Sequence, residues 1–220
     1  MKNWWSVLAL TSFFAHSSEM IVELPKFNEE EFHQWEAKIF SGETNYKILS
    51  SDDVLHAQSE GAASGLVFRQ RIDIHKTPYI NWSWKIDNKL KCLPEDTKEG
   101  DDYAARIYLV RNGTLVPWNA RAINYVWSCS SEMGQQWDNP FAGSKVKMLS
   151  VRDGSSGVGE WYAEKRNVFQ DMIDVFGDKG SKEANQKSYR YIDVVALMTD
   201  TDNSSSSAES YYGSITFSSE

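Results

Sequence analysis

Beyond its first seventeen residues the sequence has no apolar run long and uncharged enough to cross a bilayer, which takes about 20 residues in a helix. It contains no His-Glu-x-x-His, no Gly-x-Ser-x-Gly elbow and no glycine-rich phosphate loop, so none of the chemistry those motifs carry is signalled. Histidine is scarce, and His33, His56 and His75 each stand alone, which points to surface or strand-end roles and not to metal ligation. Nor is there a cluster of lysine and arginine. With 23 basic against 31 acidic residues the formal charge is −8, one unit more negative once Lys2 is removed. Such a surface repels phosphate backbones and anionic lipid, so nucleic acid is excluded as a partner and neutral or cationic ligands fit better. The absence of a linker, heptad or repeat leaves one domain of roughly 200 residues, large enough for a core of its own. The sequence sets no oligomeric state.

What is present at the N-terminus is Lys2, an apolar stretch from about Trp4 to Ala15, and the small residues Ala15 and Ser17 at the minus-three and minus-one positions of a cleavage site. Residues 1–17 therefore read as a signal peptide, and residues 18–220 as a single exported domain, periplasmic or secreted, without a membrane span. In such a compartment the two cysteines, Cys92 and Cys129, are able to form a disulfide. It would close a loop of nearly 40 residues for about 3 to 4 kcal/mol on the chain-entropy estimate. Two buried free thiols are the alternative, since sequence does not give the distance between their Cα atoms.

Most of the chain alternates apolar and polar residues with a period of two, between clusters of Gly, Asn, Asp and Ser. Strands are expected at 45–49, 54–59, 65–74, 79–87, 104–111, 122–128, 146–151, 160–167, 191–199 and 211–217. The fold class is all-β, a β-sandwich with one or two short helices. In NVFQDMIDVFG, residues Phe169, Met172, Ile173 and Phe176 share one helical face and Gly177 is placed to end the helix. A second short helix is expected at 28–35, with Asn28 capping its amides. In YINWSWKID, Ile80, Trp82, Trp84 and Ile86 point one way, which makes the tryptophans core residues.

The succession SGLVFRQRIDI, NWSWKI, GDDYAARIYLV, INYVWS, WYAEKRNVFQDMIDVFG and ALMTDTDN followed by SYYGSITF resembles a family of exported bacterial proteins known only as a domain of unknown function. The match runs in order from about Phe27 to Phe217 and brings no activity with it. The order of elements is also similar to the galactose-binding-like jelly rolls of carbohydrate-binding modules. That resemblance implies a jelly-roll sandwich, a fold that hosts glycan binding, glycan cleavage and protein interaction alike.

Two acidic segments carry the chemistry. Asp101 and Asp102 enter the strand that holds Arg106 and Tyr108, and Arg106 lies about 13 Å further along a straight strand, too far for an intimate pair with Asp102. Each group must then find a partner on another strand or in a ligand. In TDTDNSSSSAES, Asp200, Asp202 and Asn203 offer closely spaced oxygens, but there is no glycine at position six and Glu209 stands at position ten from Asp200, so this is no EF-hand. No cofactor is called for, with calcium in another geometry left open. Glu160 and Glu164, about 13 Å apart on one strand, are excluded as a glycosidase pair, whereas a pair across strands is not. Asn124 faces away from Tyr125 and Trp127 and joins the candidates. The reading is a polar cleft walled by Asp101 and Asp102, floored by Arg106, Tyr108 and Asn124, and faced by Asp200, Asp202 and Asn203, which binds a carbohydrate or envelope polysaccharide. A polysaccharide lyase or hydrolase on the same fold is the alternative, and a structural or interaction module of the envelope is the third.

Overall fold

The computed structural model describes residues 19–49, 53–111 and 121–220. The expected signal peptide, 1–17, lies outside the described residues. In chain order the strands are β1 (Ile21–Glu23), β2 (Glu36–Ser41), β3 (Asn45–Leu49), β4 (Val54–Glu60), β5 (Ala63–Asp73), β6 (Tyr79–Ile86), β7 (Arg106–Arg111), β8 (Arg121–Trp127), β9 (Gln136–Asn139), β10 (Gly143–Arg152) and β11 (Tyr162–Asn167). Helices α1 (Val168–Phe176) and α2 (Lys182–Tyr189) follow, and β12 (Tyr191–Asp200), β13 (Ser207–Tyr212) and β14 (Thr216–Ser218) close the chain. They form two seven-stranded sheets. The first runs β1-β14-β6-β13-β4-β3, with β11 on the other edge of β6; the second runs β2-β5-β12-β7-β8-β10-β9. All pairings are antiparallel except β8 with β10. The chain crosses repeatedly between the sheets, giving a β-sandwich of jelly-roll type.

Alternation explains the core. Along β6, Ile80, Trp82, Trp84 and Ile86 are buried while the residues between them are half-buried. On the facing sheet β8 contributes Tyr125 and Trp127. Trp82 stacks on Tyr125 with centroids 5.5 Å apart, and Trp84 meets Trp127 at 5.8 Å, so two aromatic contacts tie the sheets together.

Helix α1 is where its periodicity places it. Asn167 caps it by accepting from the Gln170 amide, Met172 is buried, and Phe169, Ile173 and Phe176 pack on the core. Its buried Asp171 accepts from the Tyr125 hydroxyl at 2.6 Å and from Arg166 at 2.5 and 3.1 Å. One carboxylate thus links the helix, β8 and β11.

Three sequence expectations need correction. The segment 28–35 forms only a single 3₁₀ turn at Phe32–Gln34, although Asn28 does accept from the amides of Glu30 and Glu31. The strand expected at 211–217 is broken into β13 and β14: Gly213 still donates to the Ser83 carbonyl of β6, but the pairing with β6 then slips by one residue, from Tyr212 opposite Trp84 to Thr216 opposite Asn81. Helix α2 was not expected, since KEANQKSY has no apolar stripe. It is held by the Ser181 cap, by Asn185, whose amide donates to Asp178 and whose oxygen accepts from Lys179 N, and by fully buried Tyr189, whose hydroxyl donates to the Gly177 carbonyl.

Replacing Asp171 with Asn should lower stability by about 2 to 3 kcal/mol, as expected for breaking a largely buried charged hydrogen-bond set. Urea unfolding reads this as a fall in midpoint at constant slope. An unchanged midpoint would mean that the triad carries no net stability.

Candidate functional site

The outward face of the second sheet is hollow because its side chains are small. Ala63, Gly65 and Val67 of β5, Ala196 of β12, Val110 of β7 and Ala122 of β8 floor a groove of about 450 Å³. At Gly65 a Cβ would stand 2.7 Å from the Leu197 carbonyl oxygen, so the backbones leave no room for a side chain there. Along one side of this floor the candidate residues converge.

The segment carrying Asp101 and Asp102 is fixed at several points. Cys92 and Cys129 are joined in a disulfide with their Cα atoms 5.1 Å apart, pinning the β6–β7 connection to the end of β8. Beside it the buried Glu95 carboxylate accepts from Ser128 Oγ at 2.5 Å, from Cys129 N at 2.6 Å and from Ser130 N at 3.3 Å. A 3₁₀ turn at Lys98–Gly100 then delivers the acid pair. Only glycine fits at its end, since a Cβ on Gly100 would lie 2.1 Å from the Pro94 oxygen.

The two aspartates look in different directions. Asp101 accepts from the Asn139 side chain at 3.0 and 3.1 Å and lies 3.6 Å from Arg106 Nη1. Asp102 accepts four hydrogen bonds, from Asn203 N and Nδ2 at 3.2 Å and from Ser204 N and Oγ at 2.6 and 2.5 Å. Adjacent carboxylates therefore gather the β9–β10 turn and the β12–β13 loop to one place.

Between them sits Arg106. Its side chain is about 5% exposed, its Nη2 donates to Asp200 Oδ2 at 2.5 Å, and it lies between the rings of Tyr103 and Tyr108, with centroids at 5.2 and 5.1 Å. As the strand geometry requires, it does not pair with Asp102. Along MTDTDN the alternation divides roles: Asp200 and Asp202 line the groove side, while Thr199 bonds inward to the Ala104 carbonyl, Ser210 and Tyr212, and Thr201 to Ser59.

The electrostatics follow from four carboxylates around one guanidinium. Burial pushes Asp101 and Asp200 above the usual carboxylate range, with Arg106 pulling against it, and burial together with Asp102 does the same to Asp202. Burial also opposes the charge on Arg106, but Asp200, Tyr108 and Asp101 outweigh it and hold the guanidinium protonated. Burial raises the Tyr108 phenol, which stays neutral. Carboxylate oxygens of Asp102, Asp200 and Asp202 come within 4.8 Å of one another, the arrangement a cation would need. Arg106 already supplies the positive charge at that point, and Asp102 spends its lone pairs on four donors.

Not all eight candidates reach the groove. Asp202, Asn203 and Tyr108 are part-exposed along it. Asp101, Asp200 and Arg106 line it but are almost wholly buried, and Asp102 is buried beside its loop partners. Asn124 is fully buried beneath, with Nδ2 3.5 Å from Met148 Sδ and, among the described residues, no partner for Oδ1. Sequence reasoning missed Asn139, Glu95 and Ser204, which position the acids, and the rim residues Phe40 and Phe141, which are 63% and 57% exposed. No sequence signal marks the rim pair, Phe40 standing between Ile39 and Ser41 and Phe141 between Pro140 and Ala142. The groove has a firm polar wall in which, among the described lining residues, Asp202 is the one carboxylate that is not almost wholly buried.

A family model described as "Protein of unknown function (DUF3047)" matches residues 33–216, and the chain belongs to that family. Among curated proteins none matches it. Solved structures of similar fold include a family 29 carbohydrate-binding module from Piromyces equi (9% identity, 93% of each chain covered, TM-score 0.40). A family 11 carbohydrate-binding module from Clostridium thermocellum, in complex with a beta-1,3-1,4-mixed-linked tetrasaccharide, gives 10% identity over 90% of this chain and 94% of that one, with TM-score 0.44. A variant of the Cel12A cellulase of Rhodothermus marinus gives 11% identity over 89% and 99%, with TM-score 0.42.

Because Asp101, Asp200 and Asp202 hold protons to higher pH in the folded chain than in the unfolded one, their contribution to stability is greatest at low pH and falls as pH rises through their raised values. Arg106→Met removes the compensating charge and should cost about 3 to 5 kcal/mol at neutral pH. The loss should shrink as pH is lowered from about 8 to 5, since the native acids, now pushed up further, take protons that the unfolded chain does not. A pH-independent loss in chemical denaturation would contradict the charge argument. Opening the disulfide with Cys92→Ala and Cys129→Ala together should cost about 4 kcal/mol for a loop closed between residues 37 positions apart, measured in the same way.

Proposed function

We propose that the protein binds a carbohydrate chain in this groove as an exported glycan-recognition domain. The observation that carries the reading is the pairing of an apolar, small-residue floor with a wall that offers acceptors and donors side by side. A sugar ring is amphiphilic in the same way, with hydroxyls around its edge and C–H groups on its faces. Asp202 and the Asn203 side-chain oxygen accept from hydroxyls, since the Asn203 amide hydrogens go to Asp102 and Asp202, and the ring of Tyr108 meets the apolar face. The buried acids and Arg106 hold these groups in place. Binding is preferred to cleavage because Asp200 is fully buried against Arg106 and Asp102 is saturated, which leaves no second carboxylate to complete a glycosidase pair with Asp202. None of the described helices is long and apolar enough to cross a membrane, and export rests on the N-terminal residues.

The test is a titration of the purified protein against neutral, amino and acidic polysaccharides, with product release followed in parallel. Asp202→Asn should weaken binding about tenfold, roughly 1.4 kcal/mol, without lowering the unfolding midpoint. No binding across the panel sinks the proposal, and release of shortened products would replace it with an enzymatic one.

A further inference from the structure

The groove's two margins carry the same pair of side chains. Phe40 stands on β2, one edge strand of the sheet, and Phe141 stands in the β9–β10 turn at the opposite edge. Each is more than half exposed, and each has a lysine over its ring: Lys38 Nζ lies 5.9 Å from the Phe40 centroid and Lys98 Nζ 5.2 Å from that of Phe141. Leaving a phenylalanine in water forgoes roughly 1.5 to 3 kcal/mol of burial. Two such rings at the two ends of one groove are therefore an arrangement that an occupant would complete.

Their separation follows from the sheet. Between β2 and β10 lie β5, β12, β7 and β8, so five inter-strand steps of about 4.8 Å put the margins about 24 Å apart. The lining reaches both edges of the sheet, and the polar wall with Asp202 faces the middle of that span. A receptor for a chain end closes one end of its groove around the terminal unit. This groove continues to both margins and places an aromatic ring at each.

We infer that the groove takes the interior of a glycan chain several units long, laid across the strands, with Phe40 and Phe141 as stacking platforms at its two ends. The inference rests on the glycan reading above. The flanking ammonium groups hold one side of each ring and donate to ring or hydroxyl oxygens of the unit stacked there. Affinity then grows with oligomer length until both platforms are covered, because each added unit enters a site already adjacent to the bound ones.

Cello-, xylo-, manno- and chito-oligosaccharides of two to six units, titrated calorimetrically into the full chain, test this. The expected result for the series that binds is a Kd that falls at least about tenfold from dimer to hexamer. Phe40→Ala and Phe141→Ala should each remove most of that gain; both residues are exposed, and a matched thermal midpoint verifies folding. Capping the non-reducing end should have no effect. A Kd independent of length, or one abolished by the end cap, overturns the interior-chain inference while leaving glycan binding in place. Failure of every series, in oligomeric and polymeric form alike, overturns the glycan reading and this inference with it.

Discussion

The buried guanidinium of Arg106 is the constraint on which the site depends. A charge that lies about 95% out of water is tolerated only with partners, since an isolated ion pays a desolvation cost of several kcal/mol even after relaxation. Asp200 meets it directly and Asp101 at 3.6 Å. Those two acids come from the end of β12 and from the turn before β7, so the requirement to neutralise one side chain fixes the relative position of two otherwise independent segments. Asp102, adjacent to Asp101, then extends the constraint to the β12–β13 loop through its four hydrogen bonds.

The same strands build the core and the groove. In β7, Ile107 and Leu109 enter the interior while Arg106, Tyr108 and Val110 face outward, and in β12 Thr199 goes in while Met198 and Asp200 go out. What makes the outer face hollow is residue size: glycine, alanine and valine where a surface sheet normally carries long polar side chains. The apolar floor is buried by its rims and neighbours, with Val110 and Ala122 almost inaccessible although they belong to the outward face.

Much of this was readable before any coordinates. Period-two alternation marked β6, β7 and β12 because each has one face wholly in the core, and α1 was visible because its stripe is complete and capped. The failures have physical causes. KEANQKSY folds as a helix through Tyr189 and side-chain bonds, which leave no periodic trace, and the 28–35 cap is real but has no apolar face to extend a helix. The two acid motifs do come together around Arg106 and the β12–β13 loop, yet their division into buried and part-exposed groups was not legible. That division depends on Asn139 and Ser204, which lie far from Asp101 and Asp102 in sequence. Exposure is equally tertiary, so nothing set Phe40 and Phe141 apart, and both lie outside the strands that the alternation marked.

The outcome changes how the acids should be understood. A row of aspartates beside a cleft invites a reading in which each touches ligand or metal. Here most of them are used up by backbone amides, by Asn139 and by Arg106, and only Asp202 keeps an accessible oxygen. Carboxylates bound in this way hold two loops against a sheet before any ligand arrives. Ordering those loops only upon association would cost about 0.5 to 1.5 kcal/mol for each immobilised side chain. In the proposed binding mode that cost is met during folding, and the buried network presents Asp202, Asn203 and Tyr108 from loops already held against the sheet.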